Sequence, residues 1–183
     1  MAARKKILAI SGSTRQNSTN FNLLKAIELL FEDAIEMKIF EGIAALPHFN
    51  PDDTDKAIPE VILFRERLRH ADGVIICTPE YAHGVPGSLK NAIDWTVSTN
   101  EFSHKPTALI TASTDGRAGH SALLETLQTI EAENVAQLQL LIQFAATKIG
   151  KDYIIKDEAT LVAIKELITA LINTIETNSI AEH

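Results

Sequence analysis

Three short runs of this chain are apolar at every position: Ile7-Leu-Ala-Ile10, Val74-Ile-Ile-Cys77 and Ala108-Leu-Ile110. A strand with no polar side must be covered on both faces, which a sheet sandwiched between helices provides. Around these runs the hydrophobic period alternates between strand-like and helix-like stretches. Strands are expected at Lys6–Ile10, Ile35–Phe40, Gly73–Thr78, Thr107–Ala112 and Val135–Ile142. Helices are expected after the first strand, on Leu23, Leu24, Ile27, Leu30 and Phe31, and then at about Pro59–His70, Gly87–Val97, Ser121–Glu131 and Ala159–Glu176. This alternation implies βαβ units, a parallel sheet and an α/β doubly wound fold. Polar side chains at every second position in Ile35-Glu-Met-Lys-Ile39 and in Gln137 to Leu140 mark the second and fifth strands as edges. Right-handed crossovers then favour the strand order 2-1-3-4-5, although the residues leave other orders open.

No linker, repeat or low-complexity segment divides the chain, so residues 1–183 read as a single domain. The longest loop-like stretch, Pro47 to Pro59, reads as a solvated connection, with a lid or an interface loop as the alternatives. In the last helix Leu161, Ile164, Ile168, Leu171 and Ile175 form a packing stripe.

Composition narrows the function. Seventeen Lys and Arg against 24 Asp and Glu give a net charge of −7, which argues against nucleic acid or an anionic membrane surface as partner. The single cysteine, Cys77, cannot close an intramolecular disulfide, and no Cys/His spacing suggests a metal site. Met1 to Lys6 is basic, but the apolar run behind it is too short for a signal peptide. No apolar run reaches the ~20 residues of a membrane span. A cytoplasmic protein is expected.

In such a sheet ligands bind beyond the carboxyl ends of the strands, where chain direction across the sheet reverses. That points to Ser11–Asn20, Thr78–Pro86 and Ala112–His120. The first loop, Ser11-Gly-Ser-Thr-Arg-Gln-Asn-Ser-Thr-Asn20, runs from a buried strand into a helix N-terminus. Gly12 allows a tight turn; Ser13, Thr14, Ser18 and Thr19 offer hydroxyls; helix N–H groups favour an anion; and Arg15 adds a forked cation. The stretch has more donors than an ordinary N-cap requires, and it reads as a phosphate cradle. It matches neither the G-x-G-x-x-G nor the G-x-x-x-x-G-K-[ST] pattern.

The second loop reads Thr78-Pro-Glu-Tyr-Ala-His-Gly-Val-Pro-Gly-Ser-Leu-Lys-Asn-Ala-Ile-Asp-Trp95. Together with Gly12–Asn20, this stretch strongly resembles the NADPH-dependent FMN reductase family, flavodoxin-like flavoproteins that include azo, quinone and chromate reductases. The resemblance implies that Ser13, Arg15, Ser18 and Asn20 match the FMN phosphate positions. It also implies that Pro79, Glu80 and Tyr81 form the turn along the isoalloxazine edge, where backbone amides meet the flavin's polar atoms. Ala82 stands where many members carry Asn, so only a backbone contact carries over there. Ser113 and Gly116 match the third flavin-bordering loop, in a less glycine-rich form than is common. Lys90 to Trp95 resembles a helix near the family's subunit contact.

The residues also have plainer readings. His83 and His120 read as polar surface, Glu80 as structural in its turn, Lys90 and Asp94 as a helix-face pair, and Cys77 as packing. Trp95 is open between flavin border and core.

The resulting expectation is an FMN-dependent NAD(P)H oxidoreductase working by ping-pong. NADPH or NADH would reduce the flavin, and a small-molecule electron acceptor such as a quinone, azo compound, chromate or free flavin would reoxidise it, with no catalytic side chain. A homodimer or homotetramer is expected. One rival is a one-electron carrier of the same fold, without its own NAD(P)H oxidase activity. The other is a domain that kept the fold and lost the flavin.

Overall fold

The computed structural model describes residues 4–15 and 17–181; the first three residues of the basic start and Gln16 of the hydroxyl-rich loop lie outside them. Five strands form one parallel sheet in the order β2-β1-β3-β4-β5. They are β1 (Lys5–Ser11), β2 (Ile35–Phe40), β3 (Gly73–Thr78), β4 (Thr107–Ala112) and β5 (Gln139–Ile142). The helices are α1 (Thr19–Leu30), α2 (Pro59–Arg69), α3 (Gly87–Asp94), α4 (Arg117–Thr129), the short α5 (Ala145–Lys148) and α6 (Glu158–Ala181).

The doubly apolar strands do what their composition demands. Every residue of β3 and β4 is buried, and β1 sends Ile7 and Ala9 to one face and Leu8 and Ile10 to the other. On the first face they meet Leu23, Leu24 and Ile27 of α1 and Ile164, Ile168, Leu171 and Ile175 of α6. On the second they meet Phe64 and Leu68 of α2, Leu89 and Ile93 of α3, and Leu123 and Leu127 of α4. The outer strands β2 and β5 are only partly buried, as their polar alternation requires.

Helix α6 runs on to Ala181, past the expected Glu176, and three further boundaries differ from the expectation for a visible reason. The strand expected at Val135–Ile142 covers only Gln139–Ile142. Val135 and Leu138 are both buried, but at the three-residue spacing of a helical turn, closed by the Leu138 N–H donating to the Asn134 carbonyl at 2.9 Å. Helix α3 stops at Asp94 rather than Val97, and there the Thr96 hydroxyl donates to the Ile93 carbonyl at 2.7 Å. Helix α4 starts at Arg117, earlier than the expected Ser121, because a distant residue caps it.

The loop from Pro47 is clasped by α3 rather than fully solvated. Trp95 Nε1 and Asn91 Nδ2 donate to the Pro47 carbonyl at 2.8 and 3.0 Å, and the Phe49 N–H donates to Asn91 Oδ1 at 2.7 Å. Phe49 packs edge-on against the Trp95 ring with centroids 5.2 Å apart. Trp95 is 1% exposed, so it belongs to the core, where Arg65 grips its carbonyl with two N–H groups at 2.9 and 2.6 Å.

Candidate active site

The carboxyl ends of β1, β3 and β4 lie side by side, and their loops form the candidate site. The first turn is possible only with glycine. The Gly12 N–H donates to the Cys77 carbonyl at 2.8 Å, and a Cβ at Gly12 would overlap the Thr78 hydroxyl and come within 2.6 Å of Thr78 Cβ. Beyond it, the Ser11 hydroxyl donates to the Ser13 carbonyl at 3.1 Å, and Ser13 Oγ accepts the Arg15 N–H at 3.3 Å. Ser18 caps α1, its Oγ accepting the Phe21 N–H at 3.1 Å. The N–H groups of Thr19 and Asn20, in the first turn of α1, have no intrahelical acceptor and lie at the positive end of the helix dipole. Arg15 and Thr14 are exposed, while Ser13 and Ser18 are buried. Together with Asn17, Arg15 and Ser13 line a crevice of about 370 Å³ that is also lined by Ile39, Phe40, Glu41, Ile43 and Ala44.

Asn20 has a different position from its neighbours. It is 3% exposed, its Nδ2 donates to the Ala112 carbonyl at 3.2 Å, and its Oδ1 accepts the Cys77 thiol at 3.2 Å. Its side chain therefore ties α1 to the ends of β3 and β4 from behind the loop. Burial pushes the Cys77 thiol far up from its ordinary range, so no thiolate nucleophile is available there.

The second loop forms a two-residue turn. The Tyr81 N–H donates to the Gly84 carbonyl at 3.1 Å and the Gly84 N–H to the Tyr81 carbonyl at 2.9 Å. Between them Ala82 and His83 have φ of 49° and 56°, left-handed at both central positions as a type I′ turn requires. Asn tolerates that region far better than Ala, a physical reason for Asn to occur at position 82.

Glu80 joins this turn to the third loop. Its N–H donates to Ser113 Oγ at 3.3 Å, and its carboxylate accepts the Gly119 N–H at 2.7 Å and the Gly116 N–H at 3.3 Å. Gly116 precedes α4 with φ 88°, so the helix lacks a cap of its own and takes one from the second loop. Gly119 is required by close approach: a Cβ there would lie 3.0 Å from the Gly84 carbonyl oxygen and 3.2 Å from Glu80 Cγ. Sequence reading missed Gly119, although the Gly116-Arg-Ala-Gly119 spacing at a helix start was a usable signal.

The two histidines separate. His83 is exposed, with Nδ1 3.8 Å from Glu80 Oε1. His120 is half-buried and bridges β4 and β5: Nδ1 lies 2.8 Å from the Thr111 hydroxyl and Nε2 2.8 Å from Gln139 Oε1. Lys90 and Asp94 pair at 2.6 Å on the α3 surface. At the opposite end of the sheet, a cavity of about 380 Å³ with mixed charge, including Lys6, Glu36, Glu66 and Arg67, lies away from all three loops.

A parallel five-stranded sheet in the order 2-1-3-4-5, with the loops after β1, β3 and β4 gathered at its carboxyl end, defines a flavodoxin-like fold. Residues 5–150 match the family model described as NADPH-dependent FMN reductase, and the chain belongs to that family. It is 31% identical over 173 residues to an NAD(P)H-dependent FMN reductase of Pseudomonas aeruginosa, a match covering 91% of this chain and 92% of that one. It is 36% identical over 123 residues to the NADH:(hydroxy)cinnamate reductase subunit of Vibrio ruber, covering 67% of this chain but only 60% of that relative's length. Among solved structures it superposes on FerB, a flavoenzyme NAD(P)H:(acceptor) oxidoreductase from Paracoccus denitrificans. The TM-score is 0.80 and the identity 28%, over 94% of this chain and 98% of that one.

Proposed function

We propose that this chain is an FMN-dependent NAD(P)H oxidoreductase, delivering electrons from NADPH or NADH to a small-molecule acceptor such as a quinone, azo compound, chromate or free flavin. The observation that carries this reading is the meeting of a hydroxyl-rich loop and a tight turn at one switch point, the turn locked to the third loop through Glu80 and the hydroxyl-rich loop tied to the end of β4 through Asn20. Bound FMN would supply the chemistry, accepting a hydride from the nicotinamide and passing the two electrons on to the acceptor; the chain holds and orients it.

The residues present fit that cofactor. The Ser13 and Ser18 hydroxyls accept backbone N–H groups, which leaves their protons to donate to phosphate oxygens. Arg15 adds a charge-assisted contact from the exposed side, and the first N–H groups of α1 close the cradle. Asn20 acts from behind, by fixing the loop to β3 and β4. Pro79 and Glu80 lead into the Tyr81–Gly84 turn, whose backbone at Ala82 would meet the ring's polar edge, and Ser113 and Gly116 would border it. No side chain is assigned as nucleophile or as general acid or base. The Glu80 carboxylate is occupied by two N–H groups, and the Cys77 thiol is buried.

Residues 1–183 are read as one domain, supported by α6 packing into the same core as α1 and the strands. We place the protein in the cytoplasm as a homodimer or homotetramer. Among the described residues no helix is long and apolar enough to cross a membrane. Reconstitution with FMN followed by nicotinamide oxidation with a panel of acceptors tests the activity, and light scattering tests the assembly. A protein that binds no FMN, or oxidises neither NADPH nor NADH when loaded, would refute the reading.

A further inference from the structure

Phe144 follows β5 with φ 53° and ψ 36°, in the left-handed region that bulky side chains avoid. It is also 62% exposed, so the core gives no return for the strained backbone. The backbone is held there by the third loop of the candidate site. The Phe144 N–H donates to the Thr114 carbonyl and the Ala145 N–H to the Ser113 carbonyl, both at 3.1 Å. Ser113 returns its own N–H to the Ile142 carbonyl at 3.1 Å, and Gln143 Nε2 donates to Asp115 Oδ1 at 2.7 Å. These bonds over-determine the conformation, the circumstance in which local strain points to function.

The sheet order places the turn bearing Tyr81, the Ser113–Gly116 loop and Phe144 in succession along one edge of the ligand end. Tyr81 is itself 49% exposed, so an exposed aromatic stands on either side of the loop. We propose that Phe144 is a specificity-determining residue that presents a ring face to planar aromatic electron acceptors. An aromatic face attracts another ring beyond simple area burial and offers nothing comparable to a small inorganic oxidant. This inference rests on the oxidoreductase reading above.

Steady-state kinetics of the FMN-loaded protein, with menadione and ferricyanide as alternative oxidants, provide the test. In F144A the KM for menadione should rise about five- to tenfold at nearly unchanged kcat, with the KM for ferricyanide and the affinity for FMN within about twofold of wild type. F144L keeps the apolar bulk without the ring face and should show the same rise. F144G should show it too while melting above F144A, because glycine relieves the left-handed backbone. An unchanged menadione KM in F144A, a parallel rise for ferricyanide, wild-type behaviour of F144L, or a change of oligomeric mass in F144A would each overturn the proposal. Absence of ferricyanide reduction by the loaded wild type would overturn the oxidoreductase reading, and this inference with it.

Discussion

At Arg15 a single exposed guanidinium stands beside a loop whose other donors are neutral hydroxyls and amides. If it grips a phosphate, Arg15→Ala should weaken FMN binding by about 1.5–3 kcal/mol, roughly 10- to 150-fold in Kd. Fluorescence titration with FMN reads this directly, and an unchanged Kd moves the charge contact elsewhere. Ala82 gives the opposite kind of test. Its φ of 49° is unfavourable for alanine, and Asn at this position should stabilise the apo protein by about 0.5–1 kcal/mol. Thermal melts should show Tm rising by about 2–4 °C per kcal/mol for a chain of this size. A lower Tm would show that the turn has another conformation in solution.

At the scale of elements, the site is built by one loop capping another loop's helix. The Glu80 carboxylate replaces the missing N-cap of α4, and removing it leaves the Gly116 and Gly119 N–H groups without their acceptor. Glu80→Ala should cost about 1–2 kcal/mol of stability. It should also loosen the Tyr81–Gly84 turn, so FMN affinity should fall with it. Denaturant unfolding and FMN titration of the same variant check both, and lost stability with FMN binding intact would separate the cap from the site. Helix α6 has a local cap instead. Asp157 accepts the Thr160 hydroxyl at 2.6 Å and the Thr160 N–H at 2.9 Å, and these bonds hold its carboxyl below the usual 3.8. A lowered carboxylate pKa means stability present above pH 3.8 and lost as pH falls through the folded value. The stability gap between wild type and Asp157→Ala should therefore shrink between neutral pH and pH 3, as measured by urea unfolding at each.

Across the whole molecule, the parts legible in the sequence were those fixed by local pattern. The runs at Ile7, Val74 and Ala108 could only be doubly covered strands, and the polar alternation of β2 could only be an edge. Gly12 announced a close turn, which the structure shows; the hydroxyls around it were read as an anion site, and the backbone N–H groups accepted at Ser13 and Ser18 are compatible with that proposal. What escaped was set by partners distant in sequence. The start of α4 depends on Glu80, 36 residues before Gly116. Trp95 is core because Arg65 and Pro47, 30 and 48 residues away, take up its polar groups. Asn20 resembles a phosphate ligand by position, yet its side chain turns inward to Cys77 and Ala112.

The net charge of −7 sets the whole-molecule condition on the ligand. A phosphate with close to two negative charges meets a repulsive average field, so its attraction must come from Arg15, the hydroxyls and the α1 N-terminus. The most direct measurement is anaerobic addition of NADPH or NADH to the purified, FMN-reconstituted protein while following the flavin's visible absorbance. We expect FMN to copurify or load stoichiometrically, and its absorbance to bleach within seconds and return on addition of a quinone. Flavin that stays oxidised under excess nicotinamide, or protein that holds no FMN, would contradict the assignment.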